Sequence, residues 1–363
     1  MRKKLFKKIL AGALTAVMAF SLTACGGGST STSSSGGSDS SAGGTEASSG
    51  PITVGFSQVG AESDWRTANT ESMKSTFSEA NGYKLIFDDA QQKQENQVAA
   101  IRNFIQQDVD YIVVAPTTES GWDTVLQEAK DAGIPVIIVD RMVDVKDDSL
   151  YTAWVGSNFE LEGKKAAAYM KAYAEAKGID TPKIVDIQGT IGASAQIGRT
   201  NGLKEAVDAN GWNLLEATSG EFTEAKGQEV MEAMLKKYKD GIDFVYCEND
   251  NEAFGAIKAI EAAGYKIGQD KGQMIVCSFD TTHAGLDSVL EGKITLNTEC
   301  NPLHGPRVES IIKQLEAGQT PDKTAYVEEE IFAKDDTVKE VEVDGQTYPV
   351  TVVTQEVIDG RKY

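Results

Sequence analysis

The 363-residue sequence predicts an α/β protein built from two doubly wound parallel-sheet lobes, preceded by an export signal and a disordered tether. Three observations lead there. From Pro51 onward, short β-branched runs alternate with amphipathic segments of 10–16 residues. The runs are apolar throughout, the pattern of parallel strands covered by helices on both faces. About ten strands over roughly 280 residues exceed one open sheet, so the body divides into two lobes.

Composition sets the outer limits. With 40% apolar, 25% charged and 7% aromatic residues, the chain can bury two cores and is not disordered as a whole. There are 35 basic and 55 acidic residues, a formal charge of −20. That acidic balance argues against a nucleic-acid partner, since phosphate backbones are held by Lys and Arg. His283 and His304 are the only histidines, which excludes a His-rich metal site. Neither a metal nor a cofactor is expected.

Residues 1–24 read as a bacterial lipoprotein signal peptide. Arg2, Lys3, Lys4, Lys7 and Lys8 form a basic n-region, and Ile9 to Leu22 a short apolar stretch. Leu22-Thr23-Ala24-Cys25 resembles a lipobox, which makes Cys25 the lipidated first residue of the mature chain. Ordinary secretion with an incidental cysteine is the alternative. The sequence that follows favours the anchor: residues 26–50 are Gly, Ser, Thr and Ala apart from Asp39 and Glu46. Such a segment is a flexible tether with a reach of roughly 25–30 Å. No apolar run of membrane-spanning length follows Cys25. Loss of residues 1–24 removes five basic and no acidic side chains, taking the charge to −25. Repulsion would then hold the body off an anionic membrane while more than one acyl chain holds it near. The expected location is the extracytoplasmic face of a bacterial membrane.

Strands are predicted at Ile52–Ser57, Tyr83–Phe87, Tyr111–Ala115, Pro135–Val139, Ala153–Gly156, Lys183–Ile187, Trp212–Ala217, Phe244–Cys247, Met274–Phe279 and Lys293–Thr298. Helical periodicity lies between them, as at 97–107 and 254–263. The change of lobe falls near Tyr151–Asn158, after the Asp-rich loop at 144–148. Cys247 and Cys277 sit in apolar runs and Cys300 follows Glu299. They read as small buried hydrophobes, with a Cys247–Cys277 bridge as the alternative outside the cell.

In doubly wound folds, ligands bind beyond the carboxyl ends of the strands. The residues there are Gln58, Asp88-Asp89, Pro116-Thr117, Asp140-Arg141, Gln188, Asn249-Asp250, Asp280 and Glu299. Acids, amides and a guanidinium suit a polyol, whose hydroxyls both donate and accept. Taken singly, each position also suits a helix cap. Gln188 to Ser194 is glycine-rich but lacks the G-x-G-x-x-G and Walker patterns, so it reads as a tight turn. No acid–base or nucleophile–base pair is evident, and the protein is not expected to be an enzyme, a glycoside hydrolase included.

Val54 to Gly60, Glu62-Ser63-Asp64-Trp65-Arg66, Gln91 to Gln97, Val139-Asp140-Arg141, Gln188 to Ser194 and Gly227 to Glu232 resemble the galactofuranose-binding proteins of ABC sugar importers. Asn249-Asp250 and Ser278-Phe279-Asp280 are similar, more distantly, to the ribose-binding class. The resemblance runs from about Pro51 to about Pro321 and implies the type 1 periplasmic binding protein fold, with a multi-strand hinge crossed three times. It places residues 51–155 plus 302–328 in the N-terminal lobe, and 156–301 plus 329–363 in the C-terminal lobe. It puts Glu62, Ser63, Asp64, Trp65, Arg66, Asp140 and Arg141 at a monosaccharide from one side, and Arg199, Phe222, Asn249 and Asp280 from the other. Asp64 stands where the galactofuranose type has glycine, a change that bears on which hydroxyls are accepted. The resemblance also implies a monomer that delivers sugar to a membrane permease and, through it, an ATPase subunit. A sensory module signalling to a histidine kinase or chemoreceptor would use the same fold. The signal and tether take the place of a helix-turn-helix and exclude a repressor.

Overall fold

The computed structural model describes residues 50–268 and 272–363. The signal peptide, Cys25 and the tether up to residue 49 lie outside the described residues. The chain first forms β1 (Ile52–Gln58), α1 (Asp64–Thr76), β2 (Tyr83–Asp89), α2 (Gln94–Gln106), β3 (Tyr111–Val114), α3 (Asp123–Ala132), β4 (Val136–Val139) and β5 (Ala153–Gly156). It continues through α4 (Phe159–Lys177), β6 (Lys183–Gln188), α5 (Ser194–Asn210), β7 (Asn213–Ser219), α6 (Glu224–Tyr238), β8 (Phe244–Cys247), α7 (Asp250–Ala262), β9 (Ile275–Asp280), α8 (His283–Leu290) and β10 (Leu296–Glu299). The last elements are α9 (Gly305–Glu316), β11 (Thr324–Tyr326), β12 (Ile331–Ala333), β13 (Glu340–Val343), β14 (Gln346–Val352) and α10 (Gln355–Asp359).

All ten strands anticipated from the apolar runs are present, with ends shifted by a few residues at most. They form two sheets with one plan. The first has the order β11-β5-β4-β3-β1-β2, the second β13-β14-β12-β10-β9-β8-β6-β7. Strands β1 to β5 are all parallel, as are β6 to β10, so β6 corresponds to β1 and β9 to β4. Fully buried strands such as β3 (Tyr-Ile-Val-Val) and β4 (Val-Ile-Ile-Val) explain why no alternation appears in the sequence.

The return to the first lobe was expected, but the strands that make it were not. Four further strands follow β10. Strand β11 extends the first sheet, while β12 pairs antiparallel with β10 and carries the β13–β14 hairpin into the second. The chain therefore passes between the sheets three times, after β5, β10 and β11. Glu329 joins these passages: its Oε1 accepts from Ser157 Oγ (2.6 Å) and Asn301 N (2.7 Å). Cys247, Cys277 and Cys300 are buried free thiols, so the Cys247–Cys277 bridge does not form.

Candidate functional site

In each sheet the strand order reverses between the first and third strands, β1/β3 and β6/β8, and a crevice opens there outside the carboxyl ends. The two crevices face one another across a narrow cavity of about 20 Å³. Glu62, Ser63, Trp65, Arg66, Asp140 and Arg141 line it from the first sheet; Arg199, Phe222, Asn249 and Asp280 line it from the second. The cleft is closed: Arg66, Asp140 and Arg141 are each 3% exposed and Arg199 2%.

Ten of the eleven residues expected at the site thus converge. Asp64 does not. It is the first residue of α1, its side chain points to solvent, and only its backbone N–H reaches across, donating to Asn251 Oδ1 at 3.1 Å. Phe159, Ala195 and Cys300 line the cavity without having been anticipated.

Local structure fixes each group. Ser63 caps α1 by accepting from Arg66 N (3.1 Å), which starts the helix where Trp65 and Arg66 turn inward. Arg66 is held on three sides: by Glu62 Oε1 (3.0 Å), Asp140 Oδ2 (2.7 Å) and Gln58 Oε1 (3.2 Å). Arg141 donates to the Thr117 carbonyl (2.9 Å) and lies 5.0 Å above the Phe222 ring. On the far side, Arg199 Nε bonds Glu162 Oε2 (2.7 Å), and Nη2 is 3.6 Å from Asp280 Oδ1. That placement needs α4 and α5 in backbone contact. A Cβ on Gly202 would lie 2.5 Å from the Gly163 carbonyl carbon, so only glycine fits. Asn249 has less freedom than its position suggests: Oδ1 caps α7 through Glu252 N (2.8 Å) and Nδ2 holds the Phe222 carbonyl (3.2 Å).

Asp140 and Asp280 end the corresponding strands β4 and β9, and both have left-handed backbones, with φ of 62° and 100°. Such conformations are costly for residues with a Cβ and concentrate at functional sites. Their pKa values shift in opposite directions. Burial favours a protonated Asp140, but Arg66 and Arg141 outweigh it and hold the carboxyl below the usual range. Burial raises Asp280 well above its ordinary value despite Arg199. The guanidinium pair thus favours the charged carboxylate at Asp140, while burial disfavours it at Asp280. Burial, with the like charge of Arg66, pushes Arg141 down to about 10. Arg66 moves the other way: burial opposes its charge, but Asp140 and Glu62 overcome that.

The remaining strand-end groups stand behind the cavity. Gln58 positions Arg66, and Gln188 holds Thr200 (2.9 Å). Asp250 ties Ser278, Thr282 and Asn297 together under the Asp280 turn. Asp88 and Asp89 end β2 at the sheet edge, away from the cavity. Ligand atoms of Glu162, Cys300 and Glu329 come within 4.8 Å of one another. Arg199 already neutralises Glu162, and Ser157 and Asn301 satisfy Glu329, so the trio serves as a hydrogen-bonded joint.

A closed cavity between two like α/β lobes, with paired guanidinium and carboxylate groups and aromatic faces on both walls, defines a two-lobed protein built to enclose a small polar solute. Residues 54–299 match the periplasmic binding protein domain family, and the chain belongs to it. The galactofuranose-binding protein YtfQ of Escherichia coli (strain K12) is 40% identical over 296 residues, 80% of this chain and 91% of that protein. A crystal structure from Mycobacterium smegmatis in complex with β-D-fucofuranose is 42% identical with a TM-score of 0.74, covering 79% of this chain and 92% of that one. The binding component of the arabinose ABC transporter from Shewanella sp. ANA-3, bound to α- and β-L-arabinofuranose, is 38% identical with a TM-score of 0.73, covering 78% and 93%.

Proposed function

We propose that this protein is the substrate-binding lipoprotein of an ABC sugar importer. It captures one monosaccharide, galactofuranose or a related furanose or pentose, between closing lobes and passes it to the permease. The observation that carries this reading is the closed cavity in which Arg66 and Asp140 face Arg199 and Asp280, with Trp65 and Phe222 as apolar faces. A furanose ring presents hydroxyl edges to the charged groups and C–H faces to the rings. The names of the relatives, a galactofuranose-binding protein and an L-arabinofuranose complex, support the ring form. The signal, Cys25 and tether support an extracytoplasmic lipid anchor.

Calorimetry across free pentoses and hexoses tests the ligand. One sugar should bind with micromolar or tighter affinity, about 8 kcal/mol or more, and come back unaltered. Absence of binding across the panel would refute the reading, and turnover of a glycoside would make the protein an enzyme instead. Fatty-acid labelling tests the anchor: wild type should take up label and Cys25→Ser should not.

A further inference from the structure

The strained turn that carries Asp280 is fastened from outside by the end of the chain. Asp280 and Thr281 have φ of 100° and 54° in succession. From inside the lobe, Asn297 Oδ1 accepts from Thr281 N (3.1 Å) and Asp250 Oδ2 accepts from Thr282 N (2.9 Å). From the other side, Arg361 Nη2 donates to Thr281 Oγ1 (2.7 Å) and to Glu299 Oε1 (2.9 Å). Glu299 is the β10 partner of Asp280 in the sheet register, so one guanidinium staples two neighbouring strand ends. Tyr363 completes the clasp, with its hydroxyl donating to Glu299 Oε1 (2.5 Å). Arg361 also lies over the Phe332 and Tyr363 rings at 5.0 and 4.6 Å.

The first lobe braces the corresponding turn differently, against the strand on its other side. There the residue after the left-handed aspartate is Arg141, and its own guanidinium reaches the Thr117 carbonyl beyond β3, whereas Arg361 ties the turn to β10. Thr281 stands in that place in the second lobe and has no such reach. We propose that Arg361 and Tyr363 are positioning residues for sugar recognition: they hold the Asp280–Thr281 turn in its left-handed form, so that Asp280 presents its carboxyl to the cavity. This rests on the sugar-binding reading above.

The test separates the two. In the ligand-free chain, Arg361→Ala should raise amide hydrogen exchange across residues 279–282 by about tenfold with exchange in the β6–β8 core unchanged. In calorimetry with the sugar that wild type binds best from the pentose and hexose panel, the same variant should bind about tenfold more weakly. Added to Asp280→Asn, which alone weakens binding, it should cost less than about twofold more, because the group it positions has already changed. Unchanged exchange overturns the proposal, as does faster exchange with wild-type affinity. Equal losses in both backgrounds overturn it too, since the tail would then act through something other than Asp280. If wild type binds no sugar of the pentose and hexose panel, the functional reading fails, and the brace is decided by the exchange result alone.

Discussion

Asp140→Asn removes one charge from the first lobe's cluster while keeping the side chain's shape. Asparagine also tolerates the left-handed backbone at this position, so the swap adds little strain. Asp140 Oδ2 lies 2.7 Å from Arg66 Nη2 and 4.0 Å from Arg141 Nε. With its charge gone, two buried guanidinium ions share Glu62, whose Oε1 is 3.0 Å from Arg66 Nε and 3.8 Å from Arg141 Nη2. Removing one member of a buried ion pair costs about 3–5 kcal/mol. The asparagine carbonyl still accepts a bond and returns about 1 kcal/mol. The closed cleft should therefore lose roughly 2–4 kcal/mol, a fall of roughly 30- to 700-fold in sugar affinity if binding requires closure. Asp140→Ala should melt lower still, because alanine adds about 1–2 kcal/mol of left-handed strain. Calorimetry and thermal melts of both variants give the two numbers. An asparagine variant binding within about threefold of wild type, or an alanine variant melting with the asparagine one, would refute the reasoning.

Three further outcomes follow from the same geometry. His304 is fully buried beside Asn69 Nδ2 (3.1 Å), and burial lowers its pKa to about 4. The unfolded chain takes up that proton near 6.5, so the contribution is complete above 6.5 and up to about 3 kcal/mol is lost as pH falls through 4. Melts from pH 7 to 4 should show wild type losing that much more than His304→Gln, and parallel curves would count against it. Trp65→Phe deletes the Nε1–H bond to the Cys300 carbonyl (2.7 Å) across the cleft and should weaken sugar binding roughly tenfold by calorimetry. Gly189→Ala would put a Cβ 1.9 Å from Phe222 Cζ; displacing that ring should cost about 1–3 kcal/mol in thermal unfolding, and an unchanged Tm would mean the ring is not seated there.

The sheets were legible because buried parallel strands write themselves as uninterrupted apolar runs. The return strands were not. Strands β11 and β12 are three residues each, and β13 alternates exposed and buried positions in a chain segment without flanking helices. At the site, reading past each strand end found Asp140, Arg141, Asn249 and Asp280 because topology forces those ends toward the crevice. The same rule also picked out Asp88 and Asp89, since an edge strand looks like a central one until pairing is known. Asp64 shows another limit. Residues 64, 65 and 66 start one helix, and only its packing decides that two turn inward and one outward. Phe159 and Cys300 read as core in any sequence, and nothing local separates a wall of a cavity from the interior behind it.

Trp65 gives the closed cleft an optical signature. The chain has four tryptophans. Trp122 and Trp154 belong to the packed interior of the first lobe, and Trp212 packs against the core of the second. Only Trp65 sits where the lobes meet, with its indole N–H on the Cys300 carbonyl and the Arg66 guanidinium 4.6 Å from its ring centre. Parting the lobes would wet that single indole and leave the other three as they are. A shift in emission could thus be assigned to one residue, and any parting of the lobes would be read from the wild-type chain without an added dye.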